Sequence, residues 1–375
     1  MISNNISTRS RLKNNNLNER SLTPDILYRK SSQRMLIFFN SLRRASGIYF
    51  LLAISLCGLS GCPSAPSALV VYCAHDAMFS QQVLEDFERE TGIAVSVRFD
   101  TEATKSTGLT NLIIREKNAP RCDVYWNNET FGTIDLVRRG LTEPYQGPGW
   151  RRIPEQYKDP DGHWTGFGGR LRVWIINTDL MEPIESVVEK AFENRLEEFT
   201  YAKPLFGTTL THFCALQEEL GEVAFHTLDQ RLRETATVAN GNGKTRDLVA
   251  AGTCAFGWTD TDDYFGAVDS QKPVAMLPVR IADKTICIPN SVAIIRGTSR
   301  RADAEKLVDY LLSQEIELRL ARSEARQVPL GDIGDDELPE EVQALVEPAQ
   351  QGMDLTAAAK LRQPVLEYLT NAYAP

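Results

Sequence analysis

Between residues 68 and 139 short apolar runs alternate with segments of helical period, and no other feature narrows the fold as much. Ala68–Cys73 reads as a buried strand, and Phe79–Thr91 sets Phe79, Val83, Leu84 and Phe87 on one helical face closed by Gly92. Ile93–Phe99 alternates as a second strand, and Lys105–Lys117 is a helix with Leu109, Leu112 and Ile113 inward. Asp123–Trp126 is a third strand, and Ile134–Arg139 a short helix ending at Gly140. Strands and helices in this order predict a parallel, doubly wound α/β sheet.

The pattern resumes after a turn-rich stretch over 145–169. Leu171–Asn177 is a strand on which the chain can cross to a second lobe, and Glu185–Glu198 is an amphipathic helix. Gly207, Thr208 and Thr209 precede the helix Thr211–Leu220. Such a turn aims backbone N–H groups and hydroxyls at an anion, or simply caps the helix. Phe225–Thr235 is helical. Asn240-Gly241-Asn242-Gly243 is a tight turn before the helix Lys244–Ala251. Lys272–Leu277 and Ile286–Ile295 read as strands, the second being the return crossing. Arg301–Leu312 and Glu315–Ala321 are helices, and the tail Leu338–Tyr373 is expected to be helical and to pack on the first lobe.

The chemistry concentrates in one place. The apolar run Cys254–Trp258 ends in Asp260, Asp262, Asp263 and Tyr264. In open α/β sheets ligands bind beyond the carboxyl ends of strands. Three carboxylates and a phenol supply hard oxygen donors for a hard cation or the cationic part of a solute. Helix capping explains one or two of these acids, but crowded like charges call for something positive beside them.

The front of the chain reads as a targeting segment. Residues 1–34 are polar, Met35 is an alternative start, and Arg43 and Arg44 precede the apolar run Gly47–Leu59. Leu59-Ser60-Gly61-Cys62 resembles the bacterial lipobox, which implies export and an acyl anchor on Cys62, with 63–67 as a tether. The first 61 residues carry 9 Lys and Arg against 2 Asp and Glu; removing them leaves 32 basic and 48 acidic residues, a charge of −16. That acidity argues against nucleic acid as a partner. Beyond Cys57 and Cys62, both in this segment, five cysteines (Cys73, Cys122, Cys214, Cys254, Cys287) lack metal spacing. Cys73 and Cys122 border strand-like runs, which leaves a pair open beside the reading of buried free thiols.

Several of these stretches together resemble the extracellular solute-binding proteins of bacterial ABC importers, in the ferric-iron-binding branch. They are Val71-Tyr72, Phe87–Gly92, Asp123–Glu129, Gly169–Val173, Asn240–Arg246 and Ile288–Ala293. The resemblance spans about residues 68–330. It implies a two-lobed periplasmic-binding-protein-like fold (type II), two hinge crossings, and closure on a solute that is handed to a membrane permease and its ATPase. That branch holds iron with two adjacent tyrosines, a His and a Glu. By position the tyrosine pair falls on Asp263-Tyr264, so only one phenol remains. The histidine falls at His75 or Asp76, and the glutamate at Asn128 or Glu129. The accompanying anion falls on Gly207-Thr208-Thr209, with Asn240 or Asn242 and an arginine at Arg170 or Arg172, of which at most one faces the cleft.

The residues read so far give a polar extension and signal over 1–61 and a tether over 62–67; with the resemblance they imply a first lobe over 68–172, a second over 173–279, and a return with C-terminal helices over 280–375. It further implies a monomeric, non-catalytic receptor in the periplasm or cell envelope, with ferric ion as transported ligand rather than cofactor. A phosphonate, a polyamine or a similar small solute is the alternative cargo. A metal-dependent hydrolase built on Asp260, Asp262 and Asp263 is a further alternative, but the sequence holds no G-x-S-x-G, H-E-x-x-H or P-loop motif.

Overall fold

The computed structural model describes residues 68–100 and 107–374; the leader, Cys62 and the tether lie outside the described residues. The near lobe begins with β1 (Leu69–Cys73), α1 (Ala77–Thr91), β2 (Val95–Phe99), α2 (Thr107–Arg115), β3 (Val124–Asn127) and α3 (Phe131–Arg138). Then come the two-residue β4 (Thr142–Glu143), α4 (Pro148–Arg152) and the long β5 (Thr165–Asn177). The far lobe holds α5 (Glu185–Asn194), β6 (Phe199–Ala202), α6 (Gly207–Leu220), α7 (Glu222–Thr235), β7 (Thr237–Ala239), α8 (Asn242–Ala250), β8 (Phe256–Asp260), α9 (Thr261–Asp269) and β9 (Val274–Pro278). A small hairpin, β10 (Arg280–Ile281) and β11 (Lys284–Thr285), leads to β12 (Cys287–Ile295) and α10 (Arg301–Leu311), α11 (Gln314–Arg322), α12 (Glu340–Gln350), α13 (Thr356–Lys360) and α14 (Arg362–Ala372).

One sheet path runs β2-β1-β3-β12-β5-β8-β6-β7. β1 pairs in parallel with β2 and β3, and β6 with β7 and β8, as the strand–helix alternation requires. The crossings are antiparallel. β12 pairs with β3 and with residues Thr165–Leu171 of β5, whereas Arg172–Ile176 of β5 pair with β8. A strand of 13 residues is roughly 43 Å long, enough to belong to both lobes. β12 shifts register between Pro289 and Asn290, and proline lacks the N–H that an unbroken ladder would need. The Asn290 amide bridges the break, donating to Phe167 O (3.2 Å), Gly168 O (2.9 Å) and Gln327 Oε1 (2.7 Å).

The near-lobe core joins Leu69, Val71, Phe87, Trp126, Phe167 and Leu171; the far-lobe core joins Phe199, Tyr201, Phe213, Phe256 and Trp258. All five described cysteines are buried and free, so Cys73 and Cys122 are not paired. The tail divides, contrary to the expectation that it returns to the first lobe. α12 does so, with Leu345 and Ala349 in the near-lobe core, but α13 and α14 pack on α6 of the far lobe. Their apolar faces match either lobe in composition, so the sequence did not discriminate.

Candidate functional site

A cleft of about 480 Å³ opens where the carboxyl ends of the parallel strands converge. Asp76, after β1, and Asn128, after β3, line it from the near lobe, and Arg170 from the crossing strand β5. The far lobe contributes Lys203, Phe206, Gly207, Thr208, Thr209, Asn240, Gly241, Asn242, Gly243, Asp260, Asp262 and Asp263. Three far-lobe helices, α6, α8 and α9, therefore begin on this cavity, and the positive ends of their dipoles face it. Gly207 starts α6 at φ +58°, directly after Phe206 in extended conformation (φ −158°), a corner that a side chain would strain.

Asp260 ends β8 and precedes α9, but its side chain does not cap that helix. One oxygen accepts from Arg172 Nη1 at 2.8 Å; the other accepts from Thr208 Oγ1 at 2.5 Å and Asn242 Nδ2 at 2.8 Å. Arg172 has no exposed surface and also reaches Asn242 Oδ1 (3.2 Å) and His212 Nδ1 (3.5 Å). Burial and the neighbouring guanidinium push the His212 imidazole well below its usual range, so it is a neutral acceptor. This network ties β5, β8, α6 and α8 together beneath the cleft. Asp260 is thereby committed to the scaffold.

Asp262 and Asp263 occupy the first turn of α9. Ligand atoms from Asp260, Asp262 and Asp263 lie within 4.8 Å of one another. Asp262 accepts from the Asp263 backbone N–H (3.1 Å) and faces Arg170 Nη1 at 3.5 Å. Burial raises its carboxyl pKa; Arg170 opposes this, and the charges of Asp260 and Asp76 add to it. Asp263 accepts from Thr259 Oγ1 at 3.0 Å. Burial, then the charges of Asp262 and Asp260, push it up to about 8. Crowded carboxylates of this kind ionise fully only when further positive charge comes beside them. Arg170 Nη2 donates to Asn290 Oδ1 (3.3 Å), while its buried Nε has no partner among the described residues.

Other residues from the sequence reading lie elsewhere. Glu129 is buried with its carboxylate turned into the start of α3, where it accepts from the Phe131 N–H, from Gly132 N at 2.8 Å and from Asn127 Nδ2 at 3.0 Å. His75 is buried against Trp126 (ring centroids 5.2 Å apart), with Nε2 3.0 Å from Gln327 Nε2. Tyr264 packs against apolar residues of the near-lobe core and a smaller far-lobe cluster, and burial raises its phenol. None of the three lines the cleft. Arg172 lies beneath it and Arg170 within it. Trp126 and Trp258 are core side chains. Lys203, Phe206, Gly241 and Gly243 are cleft residues that pattern reading missed; a lysine at the end of an apolar strand was the available signal for the first.

The class of the fold follows from these two lobes, two crossings and a cleft at the strand ends: it is a two-lobed periplasmic-binding-protein fold. No protein-family model matches the chain. It is similar to an Fe(3+)-binding periplasmic protein of Serratia marcescens, 22% identical over 195 residues, covering 50% of this chain and 55% of that one. It is also similar to iron uptake protein A1 of Synechocystis, 22% identical over 298 residues, covering 72% and 79%. Among solved structures, a ferric binding protein from Campylobacter jejuni superposes with TM-score 0.70 at 17% identity, over 81% of this chain and 99% of that one. The periplasmic binding protein AfuA from Actinobacillus pleuropneumoniae, bound to fructose-6-phosphate, superposes with TM-score 0.67 at 18% identity, over 82% and 98%.

Proposed function

We propose that this chain is the solute-binding component of an ABC importer and that its cargo is ferric iron, taken with an oxyanion or as a chelate. The observation that carries this reading is the Asp262–Asp263 pair. Its carboxylates crowd together at a strand end and the second retains a proton to about pH 8, in a cleft where Asp76 approaches from the opposite lobe. Hard anionic oxygens of this kind suit a hard trivalent ion. A cargo gripped from both sides stabilises the closed form, so binding shifts the population of lobe arrangements. The closed form is then recognised by a permease whose ATPase drives release. Residues 35–61 export the chain, and acylation of Cys62 holds it at the membrane in the periplasm or cell envelope. The ferric-binding Serratia and Campylobacter proteins support this assignment, as does the lack of a catalytic motif. Calorimetric titration with ferric citrate should give tight binding that falls at least tenfold in an Asp262→Asn/Asp263→Asn variant of unchanged melting temperature. Unchanged affinity would refute the site.

A phosphorylated polyol is the second reading. Lys203, which makes no ion pair among the described residues, and the α6 and α8 N-termini suit a phosphate, and the cavity exceeds what one ion and one small anion occupy. AfuA was solved with such a solute. Tight binding of fructose-6-phosphate without iron, abolished by Lys203→Ala, would favour this reading over the first.

A further inference from the structure

We infer that the C-terminal tail, residues 351–373, is a strap that holds the lobes together beside the cleft and biases the ligand-free chain toward closure. This goes beyond the cargo assignment and rests only on the two lobes being able to separate. The strap has three fastenings of different kinds. The first is at the hinge. Met353 N donates to Thr285 O at 3.0 Å, Thr285 N donates to Gln351 O at 3.2 Å, and the Thr285 hydroxyl donates to Pro348 O at 2.6 Å. Thr285 ends β11, two residues before the crossing strand β12.

The second fastening is directional and belongs wholly to the far lobe. The Tyr373 hydroxyl meets the Tyr201 hydroxyl at 2.6 Å and donates to Asp229 Oδ1 at 2.9 Å. Tyr368 donates to Asp229 Oδ2 at 2.9 Å and stacks on His226 at 3.8 Å. Arg233 completes the set, donating to the same carboxylate at 2.9 Å. Polar contacts that converge on one buried carboxylate, Asp229, fix the docking position.

The third fastening is apolar and spans the lobes. α13 packs on both α6 and α3, and Leu355, Ala358 and Ala359 share one buried cluster with Ile134 of α3 and Leu210 of α6. α3 begins three residues after Asn128 on the near side of the cleft; α6 begins in the cleft at Gly207. Moving the lobes apart therefore draws α3 away from α13, while the tyrosine–aspartate anchor keeps α13 on the far lobe. Among the described residues the seam between α3 and α13 is apolar packing without a hydrogen bond between the two helices, and it opens at a cost proportional to the apolar area.

Small-angle scattering of the ligand-free chain, with hydrogen exchange, tests this without any cargo, so its outcome is separate from that of the iron assignment. Ile134→Ala and Leu355→Ala trim the seam from opposite sides. Each should increase the radius of gyration of the free chain and speed exchange in α13. Each should also weaken ferric citrate binding roughly threefold to tenfold, in proportion to the lost closed fraction. Tyr373→Phe, at the far-lobe anchor, should mimic them more weakly. If either seam variant folds and its ligand-free scattering and α13 exchange match the parent chain, the strap is refuted. If one variant fails to fold, the other decides.

Discussion

Replacing Arg172 by methionine tests the scaffold on which the site stands. The guanidinium and the Asp260 carboxylate are almost wholly inaccessible and 2.8 Å apart. Removing one member of a buried pair leaves the other charged and without its counter-ion, which costs about 3–5 kcal/mol. Asp260 keeps its bonds from Thr208 and Asn242, so the lower end of that range is expected. The assay is urea unfolding of the parent chain, Arg172→Met, Asp260→Leu and the double variant, with a double-mutant cycle. The double variant should be less destabilised than the two single losses added together, because no buried charge is left without its counter-ion, although Thr208, Asn242 and His212 lose bonds to the pair. A loss below about 1 kcal/mol for Arg172→Met, or a cycle without coupling, would refute the claim that this pair holds the cleft wall.

The raised Asp263 pKa gives a second expectation. The folded chain binds a proton here that the unfolded chain releases near pH 4, so stability should fall as pH rises from about 4 to about 8. Cation binding at pH 7 should then expel close to one proton, measured by calorimetry in buffers of different ionisation enthalpy, and none in Asp263→Asn. Tyr264→Phe should leave ferric citrate affinity within about twofold, and the loaded parent should lack an intense visible phenolate-to-iron band, since burial holds the phenol protonated. Glu129→Gln should cost about 1–2 kcal/mol in thermal unfolding with affinity unchanged, because the carboxylate caps α3 rather than facing cargo.

What could be read from the sequence was whatever period and strand ends encode. β1, β3 and β8 announce themselves as apolar runs, and the acids after β8 must lie at the ligand-binding edge. Which neighbour faces the cavity is a rotational question. Residues on a helix advance about 100° each. If Asp262 in the first turn of α9 faces the cleft, Tyr264 is turned roughly 200° from it, into the core. Asn128 and Glu129 are consecutive, and the latter is drawn to the N–H groups of α3. Arg172 and Asp260 were legible as charges but not as each other's partners, because 88 residues separate them. Lys203 stood outside every motif, and the resting place of the tail depends on shape rather than period.

The charge distribution argues for a cargo with two ends. Arg172 neutralises Asp260 and Arg170 lies 3.5 Å from Asp262, so among the described residues Asp263 is the member of this acidic cluster that has no arginine ion pair. On the same wall stand Lys203 and the first turns of α6 and α8, which a bare trivalent ion would face with like charge. An oxyanion bound to the metal removes that conflict: it accepts from the N-termini and Lys203 while the carboxylates hold the ion. Removing Lys203 should accordingly weaken ferric citrate more than a ferric salt presented without an anion that can bridge. Equal losses for both would mean that the basic side of the cleft contributes only long-range charge.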